Sequence, residues 1–419
     1  MNINIESIKK TLGPGILFAS TCVGVSHLVQ STRAGANYGF ALIGAVLLAN
    51  IFKYPFFEFA SRYTNATGRS ILDGYYHKSK WILIGYVTLT ILSMFIVSAA
   101  VTFVTAGLLR NLFNIGLGTS IWAAIILSIC IVLLIIGKYN ALDSILKLVG
   151  AILVISTVIA SISAILHGRP EPISNFIPQE LYSPSGLIFI IALMGWMPTA
   201  VDMSAWTSLW TEARIKQTGY HPKLNETLFD FNLGYIVSAF LALCFLTLGS
   251  LIIYGTGTEL SNSSHAFANQ LISMFTIAIG DWSYYIIAIA ALTTMFSTCI
   301  TVIDGYSRTL ARSLKLLTHH EKDDSRTIYI VASIILAIGT YLVITQYLNN
   351  LKQLVDFATI LSFVLAPVAG FINYRVIYSK EFPPAFLPPQ WLKSLAIAGL
   401  LFLIGFTGIY FVVLFNPSF

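Results

Sequence analysis

Gly13-Pro14-Gly15-Ile16-Leu17-Phe18-Ala19-Ser20-Thr21-Cys22-Val23-Gly24-Val25-Ser26-His27-Leu28-Val29-Gln30-Ser31-Thr32-Arg33 begins as a membrane helix and then stops reading like one. Its first half is apolar, but Gly24, Ser26, His27 and Gln30 fall where a spanning helix is normally most apolar. A second such stretch is Met194-Gly195-Trp196-Met197-Pro198-Thr199-Ala200-Val201-Asp202. There Pro198 removes one helical hydrogen bond and crowds the carbonyl four residues back. Irregular backbone survives at membrane depth only where it lines a cavity or is buried in protein. Two interrupted segments at matching places in two halves point to an inverted-repeat transporter with its site near the midplane. The competing reading, a pair of ordinary kinks, draws on the abundance of Gly and Pro in membrane helices.

Composition places these stretches in context. Of 419 residues, 56% are hydrophobic and 10% are charged, far below the roughly 25% charged residues of soluble domains. That excludes an ordinary soluble enzyme, and the apolar content excludes disorder. At about 20 apolar residues per crossing, eleven spans are expected, over 12–35, 38–61, 81–109, 119–137, 144–166, 186–210, 228–254, 282–307, 327–346, 353–377 and 392–415. The fold class is therefore all-α and polytopic: five helices (residues 1–170), a second inverted five (171–380) and one extra C-terminal helix (381–419), with helices 1 and 6 broken. With the N-terminus cytoplasmic and the C-terminus outside, nineteen basic residues fall inside and four outside (Arg33, Arg110, Arg169 and Lys352), while Lys53 lies within the second span. This asymmetry satisfies the positive-inside rule and fits a multi-pass protein of the cell (plasma or inner) membrane. The net charge of +6 is thus a topology signal, with no nucleic-acid partner implied. Cys22, Cys130, Cys244 and Cys299 lie in apolar runs without metal-ligand spacing.

Polar residues recur at helical spacing. Asn50, Tyr54, Glu58 and Arg62 share one face of span two, with Glu58 and Arg62 spaced for an i,i+4 ion pair. Thr294, Ser297, Thr301, Asp304 and Arg308 form a stripe on span eight. Ser and Thr positions of this kind hold helices together, whereas an intramembrane acid such as Asp304 marks a pathway. No His-Glu-x-x-His motif, nucleophile elbow or Walker A sequence occurs, so neither an intramembrane enzyme nor an ATP-driven pump is expected. His319-His320-Glu321-Lys322-Asp323-Asp324 reads as a solvated connector.

Leu12-Gly13-Pro14-Gly15, the frame Leu47-Leu48-Ala49-Asn50 followed by Ala66-Thr67-Gly68, and Met197-Pro198 together resemble the NRAMP family (natural resistance-associated macrophage proteins). These are divalent-metal transporters with the amino acid–polyamine–organocation fold. The resemblance covers essentially the whole chain and implies alternating access, with a divalent metal ion as transported substrate and no cofactor. The departures are specific. The family's DPGN signature falls on Gly24-Val25-Ser26-His27, so its Asp is Gly24 and its Asn is His27, and the His of its MPH signature is Thr199. Met197 alone carries over. His27, Met197 and Asp202 offer nitrogen, sulfur and oxygen, a set that selects softer transition ions, although without the family Asp a divalent cation lacks its strongest compensating charge. These three residues are the metal-ligand candidates; Gly24, Ser26, Gly195, Pro198, Thr199 and Asp304 are the candidate pathway. The expected partners are a small inorganic cation and the lipid bilayer, with no obligate protein partner evident. The alternative keeps the fold and carries an amino acid or another small organic solute, whose carboxylate would meet helix N-termini at the unwound segments.

Overall fold

The structure is a computed structural model that describes residues 11–136, 139–318 and 325–416. The connector at 319–324 lies outside them. Within these residues the chain is helical, with no strand. The helices run α1 Pro14–Cys22, α2 Thr32–Tyr38, α3 Ile43–Thr67, α4 Ile71–Lys78, α5 Lys80–Phe113, α6 Thr119–Ile136, α7 Tyr139–His167 and α8 Pro184–Gly195. They continue with α9 Ser204–Thr218, α10 Leu224–Ile252, α11 Ser264–Ile279, α12 Tyr284–Thr318, α13 Ser325–Gln346, α14 Leu351–Ile377 and α15 Gln390–Phe415. Among the described residues, nine helices are long and apolar enough to cross a membrane: α3, α5, α6, α7, α10, α12, α13, α14 and α15.

The two segments expected as spans one and six are not single helices. Span one is α1, a π-helical turn over Ser26–Ser31, and α2. Span six is α8, an irregular stretch with a cis Met197–Pro198 bond, a 3-10 turn over Val201–Met203, and α9. The segment 255–281, which lies between two of the expected spans, holds α11. Phe267, Leu271, Met274 and Phe275 give α11 an apolar stripe at helical spacing, buried in the core.

Both broken segments are held by close backbone approach. A Cβ on Gly15 would lie 1.9 Å from the Asp230 carbonyl oxygen, so only glycine lets α1 and α10 touch there. The Asp230 carboxylate accepts from the Gly15 N–H at 2.7 Å and the Gly13 N–H at 3.3 Å. It thereby satisfies free donors at the start of α1. At the end of α8, a Cβ on Gly195 would lie 2.0 Å from the Thr359 carbonyl oxygen of α14. Helix α2 meets α10 through Gly35 and Gly249, whose added Cβ atoms would lie 2.0 Å from the Leu246 oxygen and 2.3 Å from the Thr32 oxygen. Small residues permitting this approach are the usual basis of helix packing in lipid.

Gly35→Ala or Gly249→Ala must push α2 and α10 apart, at about 1–3 kcal/mol of overpacking. Thermal unfolding of the purified protein should show either substitution lowering Tm. Gly408→Ala, which meets nothing within 4 Å, should leave Tm unchanged.

Candidate functional site

The broken segments face one another across a small cavity of about 20 Å³, room for one or two water-sized particles. Thr21, Val25 and Ser26 contribute from span one, Trp196, Thr199 and Met203 from span six, Val97 and Val101 from α5, and Thr298 and Val302 from α12. No charged side chain lines it.

The hydroxyls of this lining give their protons to the protein. Thr21 donates to the Leu17 carbonyl at 2.8 Å, and Thr298 donates to the Ser20 and Thr294 carbonyls at 3.0 and 3.1 Å. Ser26 is 2.6 Å from the Cys22 carbonyl, and Thr199 donates to the Met203 sulfur at 3.0 Å. A hydroxyl has one proton and two lone pairs. With the protons committed elsewhere, the oxygens keep acceptor capacity for whatever occupies the cavity. The lining is therefore suited to a particle that is positive or donates hydrogen bonds.

Behind the cavity the break in span six is tied to span two. Lys53, fully buried in α3, donates to the Met194 and Gly195 carbonyls at 2.5 and 2.8 Å and to the Thr199 carbonyl at 3.4 Å. Asp202 is buried, its backbone carbonyl accepts from Tyr86 Oη at 2.7 Å, and its carboxylate interacts electrostatically with Lys53.

The residues singled out by sequence fall in three places. Ser26 and Thr199 line the cavity, and Gly24 abuts it, its added Cβ lying 3.0 Å from Thr298 Cγ2. Gly195 and Pro198 sit in the break beside Lys53, Gly195 supplying one of the carbonyls that accept from it. His27 uses both ring nitrogens: Nδ1 is 2.7 Å from Ser26 Oγ, and Nε2 is 2.8 Å from the Ser238 carbonyl of α10. Its imidazole thus bridges span one to span seven and does not line the cavity. Met197 is buried, with Ser31 Oγ 3.9 Å from its sulfur, and also lies outside the lining. Among the described residues no three His, Cys, Asp or Glu side chains cluster to hold a metal ion. Met203 supplies the thioether of the cavity instead. It ends the 3-10 turn that closes the break, and nothing in the linear pattern separates it from Met197.

Asp304 belongs elsewhere. Its carboxylate accepts two bonds from Arg308 Nε at 2.7 and 2.8 Å, one from Tyr329 Oη at 2.7 Å and one from Trp210 Nε1 at 3.3 Å. This joins α12, α13 and α9 beside a separate vestibule of about 450 Å³ lined by Lys216, Arg308, Arg312, Lys315 and Arg326, with Glu212. Arg312 and Asp73 pair between α12 and α4 near the same vestibule. At the other end of the broken segments, Arg33 makes two bonds to Asp356 at 2.6 and 2.9 Å, and Gln30 bonds both residues. Glu58 and Arg62 form the expected buried i,i+4 pair, with Arg62 also bonding the Phe386 carbonyl.

A helical membrane protein whose two broken helices enclose a small acceptor-rich cavity, with ion pairs at both ends, is a transporter of the alternating-access class. The chain belongs to the Nramp family, described as natural resistance-associated macrophage protein-like, which it matches over residues 15–413. It is 37% identical over 401 residues, 94% of this chain and 90% of the other, to an uncharacterised protein of Pasteurella multocida (strain Pm70). Its fold is similar to that of the Eremococcus coleocola manganese transporter, with a TM-score of 0.68 at 13% identity over 98% of this chain and 88% of that one. It is also similar to MhsT, solved with L-phenylalanine, with a TM-score of 0.59 at 13% identity over 95% of this chain and 97% of that one.

Asp304→Asn leaves Arg308 without its carboxylate in a half-exposed setting and should cost about 1–3 kcal/mol. A fall in Tm with an unchanged KM for cargo is the outcome expected of a residue that braces the vestibule. An altered KM at unchanged Tm would place Asp304 in the pathway.

Proposed function

We propose that this protein is a secondary transporter of a divalent transition-metal ion, carrying it through the cavity between the broken segments by alternating access. The observation that carries the reading is the lining itself: Thr21, Ser26, Thr199 and Thr298 keep oxygen lone pairs toward a space of ionic size, and Met203 adds a soft sulfur. Thioether selects transition ions, whereas Mg²⁺ and Ca²⁺ want oxygen cages. Membership of the Nramp family and the likeness to a manganese transporter support the same cargo class. Asp202, adjacent to Met203 in the chain, is the carboxylate available to offset ionic charge; His27 and Met197 shape the segments that hold the lining. The protein works in the cell membrane without a bound cofactor, its N-terminus cytoplasmic and its C-terminus outside, as the distribution of basic residues supports. Residues 1–170 and 171–380 act as the two halves that move against each other, with 381–419 as a peripheral helix.

One feature favours a second reading. No carboxylate lines the cavity, and a divalent ion needs compensating charge. An amino acid or another small organic solute without net charge would not.

Uptake of Mn²⁺ into proteoliposomes decides between the two. The metal reading expects saturable Mn²⁺ entry, competed by Cd²⁺ more strongly than by Mg²⁺. Met203→Leu, a volume-conserving change, should raise the KM for Mn²⁺ by about tenfold, the effect of losing one ~1.4 kcal/mol contact. A labelled amino acid entering while Mn²⁺ neither enters nor competes would overturn the metal reading.

A further inference from the structure

Lys53 is the most unusual placement in the molecule. It sits near the middle of α3, a helix of 25 residues, has no accessible surface, and carries the one basic side chain that the topology pattern leaves within a span. A lone ammonium in such a place is strongly unfavourable. Here each of its three protons has a backbone acceptor: the carbonyls of Met194, Gly195 and Thr199. An ammonium has three donors and no acceptor, so this set is complete. The Phe363 ring of α14 lies over it, 5.9 Å from Nζ, and the charged or titratable groups acting on it are Asp202 and Cys22.

The acceptors are not arbitrary. Met194 and Gly195 end α8, where the last carbonyls of a helix have no intrahelical partner and carry the negative end of its dipole. Thr199 lies across the irregular stretch, so a single cation ties both sides of the break. Half-helix C-terminal ends of this kind are where broken-helix transporters bind a small cation. We propose that the carbonyl cluster of Met194, Gly195 and Thr199 is a monovalent-cation site that Lys53 fills permanently as a tethered ion, so that transport proceeds with no free ion at the break in span six. The proposal rests on the reading of the chain as a transporter. It makes Lys53 a positioning residue, acting on cargo through the segment that presents Trp196, Thr199 and Met203.

Chemical rescue tests it. Lys53→Ala removes the fragment equivalent to propylammonium and leaves the carbonyls facing an empty channel. Mn²⁺ uptake should fall by about tenfold or more, and added propylammonium should restore it, whereas 1-propanol and tetramethylammonium should not. Lys53→Met, which fills the space without charge, should be inactive and beyond rescue; Lys53→Arg should keep measurable uptake. A readout independent of cargo runs alongside. The Tm of purified Lys53→Ala should rise with propylammonium concentration, as ligand linkage requires, while wild-type Tm should not respond. Wild-type uptake by Lys53→Met, or rescue of Lys53→Ala by 1-propanol as well as by propylammonium, overturns the proposal. So does a Tm of Lys53→Ala that is indifferent to propylammonium. If Lys53→Ala cannot be isolated, activity retained in Lys53→Arg and lost in Lys53→Met supports it, and equal activity in both overturns it. If wild-type protein carries no Mn²⁺, the cargo assignment fails, and the melting measurements still decide the role of Lys53.

Discussion

Breaking a helix inside a membrane frees backbone groups that lipid cannot satisfy, and much of this structure answers to that constraint. The start of span one, well before its break, is served in a similar way: the Asp230 carboxylate accepts from the N–H groups of Gly13 and Gly15. The Lys53 ammonium donates to the carbonyls at the end of α8 and across the break. Both charges come from helices other than the broken ones, α10 and α3. The irregular segments are thus held by bonds from their surroundings, and the helices supplying those bonds must stand close. The glycines at 15 and 234 permit this for α1 and α10, since a Cβ at either would fall within about 2.1 Å of a neighbouring carbonyl oxygen, and Gly195 permits the same approach of α8 to α14.

The sequence showed where the chain leaves regular helix but not which side chains the departure would turn inward. Gly24 and Pro198 mark the breaks through elementary backbone chemistry. His27 and Met197 drew attention because their residue types ligate metals. The identity of a residue does not reveal its partners, however, and the His27 imidazole is engaged by Ser26 and by the Ser238 carbonyl of α10, more than two hundred residues away. Thr21 and Thr298, in regular helix, carried nothing to set them apart from other hydroxyls, and Met203 was illegible for a further reason. Once a helix unwinds, the 3.6-residue period that predicts facing positions no longer holds across the break. Lys53 was visible as an anomaly in the second span, but its meaning depends on carbonyls, which no sequence pattern displays.

The charges in the protein are arranged around the cavity without entering it. Arg33 with Asp356 stands at one end, Asp73 with Arg312 and Asp304 with Arg308 at the other, and Lys53 with Asp202 behind the wall. Ion pairs at the ends suit a cycle of opening and closing, because a pair that is hydrated when parted loses little and one that closes in a dry interface gains modestly. The two states then remain close in free energy, as a transporter requires. A neutral lining serves the same end. An uncompensated carboxylate in so small a space would be costly whenever the cavity emptied, whereas hydroxyls that hand their protons to Leu17, Cys22, Ser20 and Thr294 carbonyls or to the Met203 sulfur remain satisfied with or without cargo.

Gly24 and Lys53 are best understood together. A carboxylate at position 24 would start from a Cβ already 3.0 Å from Thr298 Cγ2 and 3.2 Å from its Oγ1, a contact that must give way before any acid could fit. On the far side of the cavity, the carbonyl cluster that could share a cation's charge is already filled by an ammonium. The side of the cavity at Gly24 thus carries no acid, and the break in span six is backed by the Lys53 ammonium, with which the buried Asp202 carboxylate interacts. The energetic weight of binding shifts from a direct ion–carboxylate contact to dipoles and lone pairs held in place by a permanent internal charge. Preorganised dipoles of this kind need no reorganisation when cargo arrives. They also bind a divalent ion less tightly than a carboxylate would, and weaker binding favours release on the far side of the membrane, because a carrier turns over only if its cargo leaves.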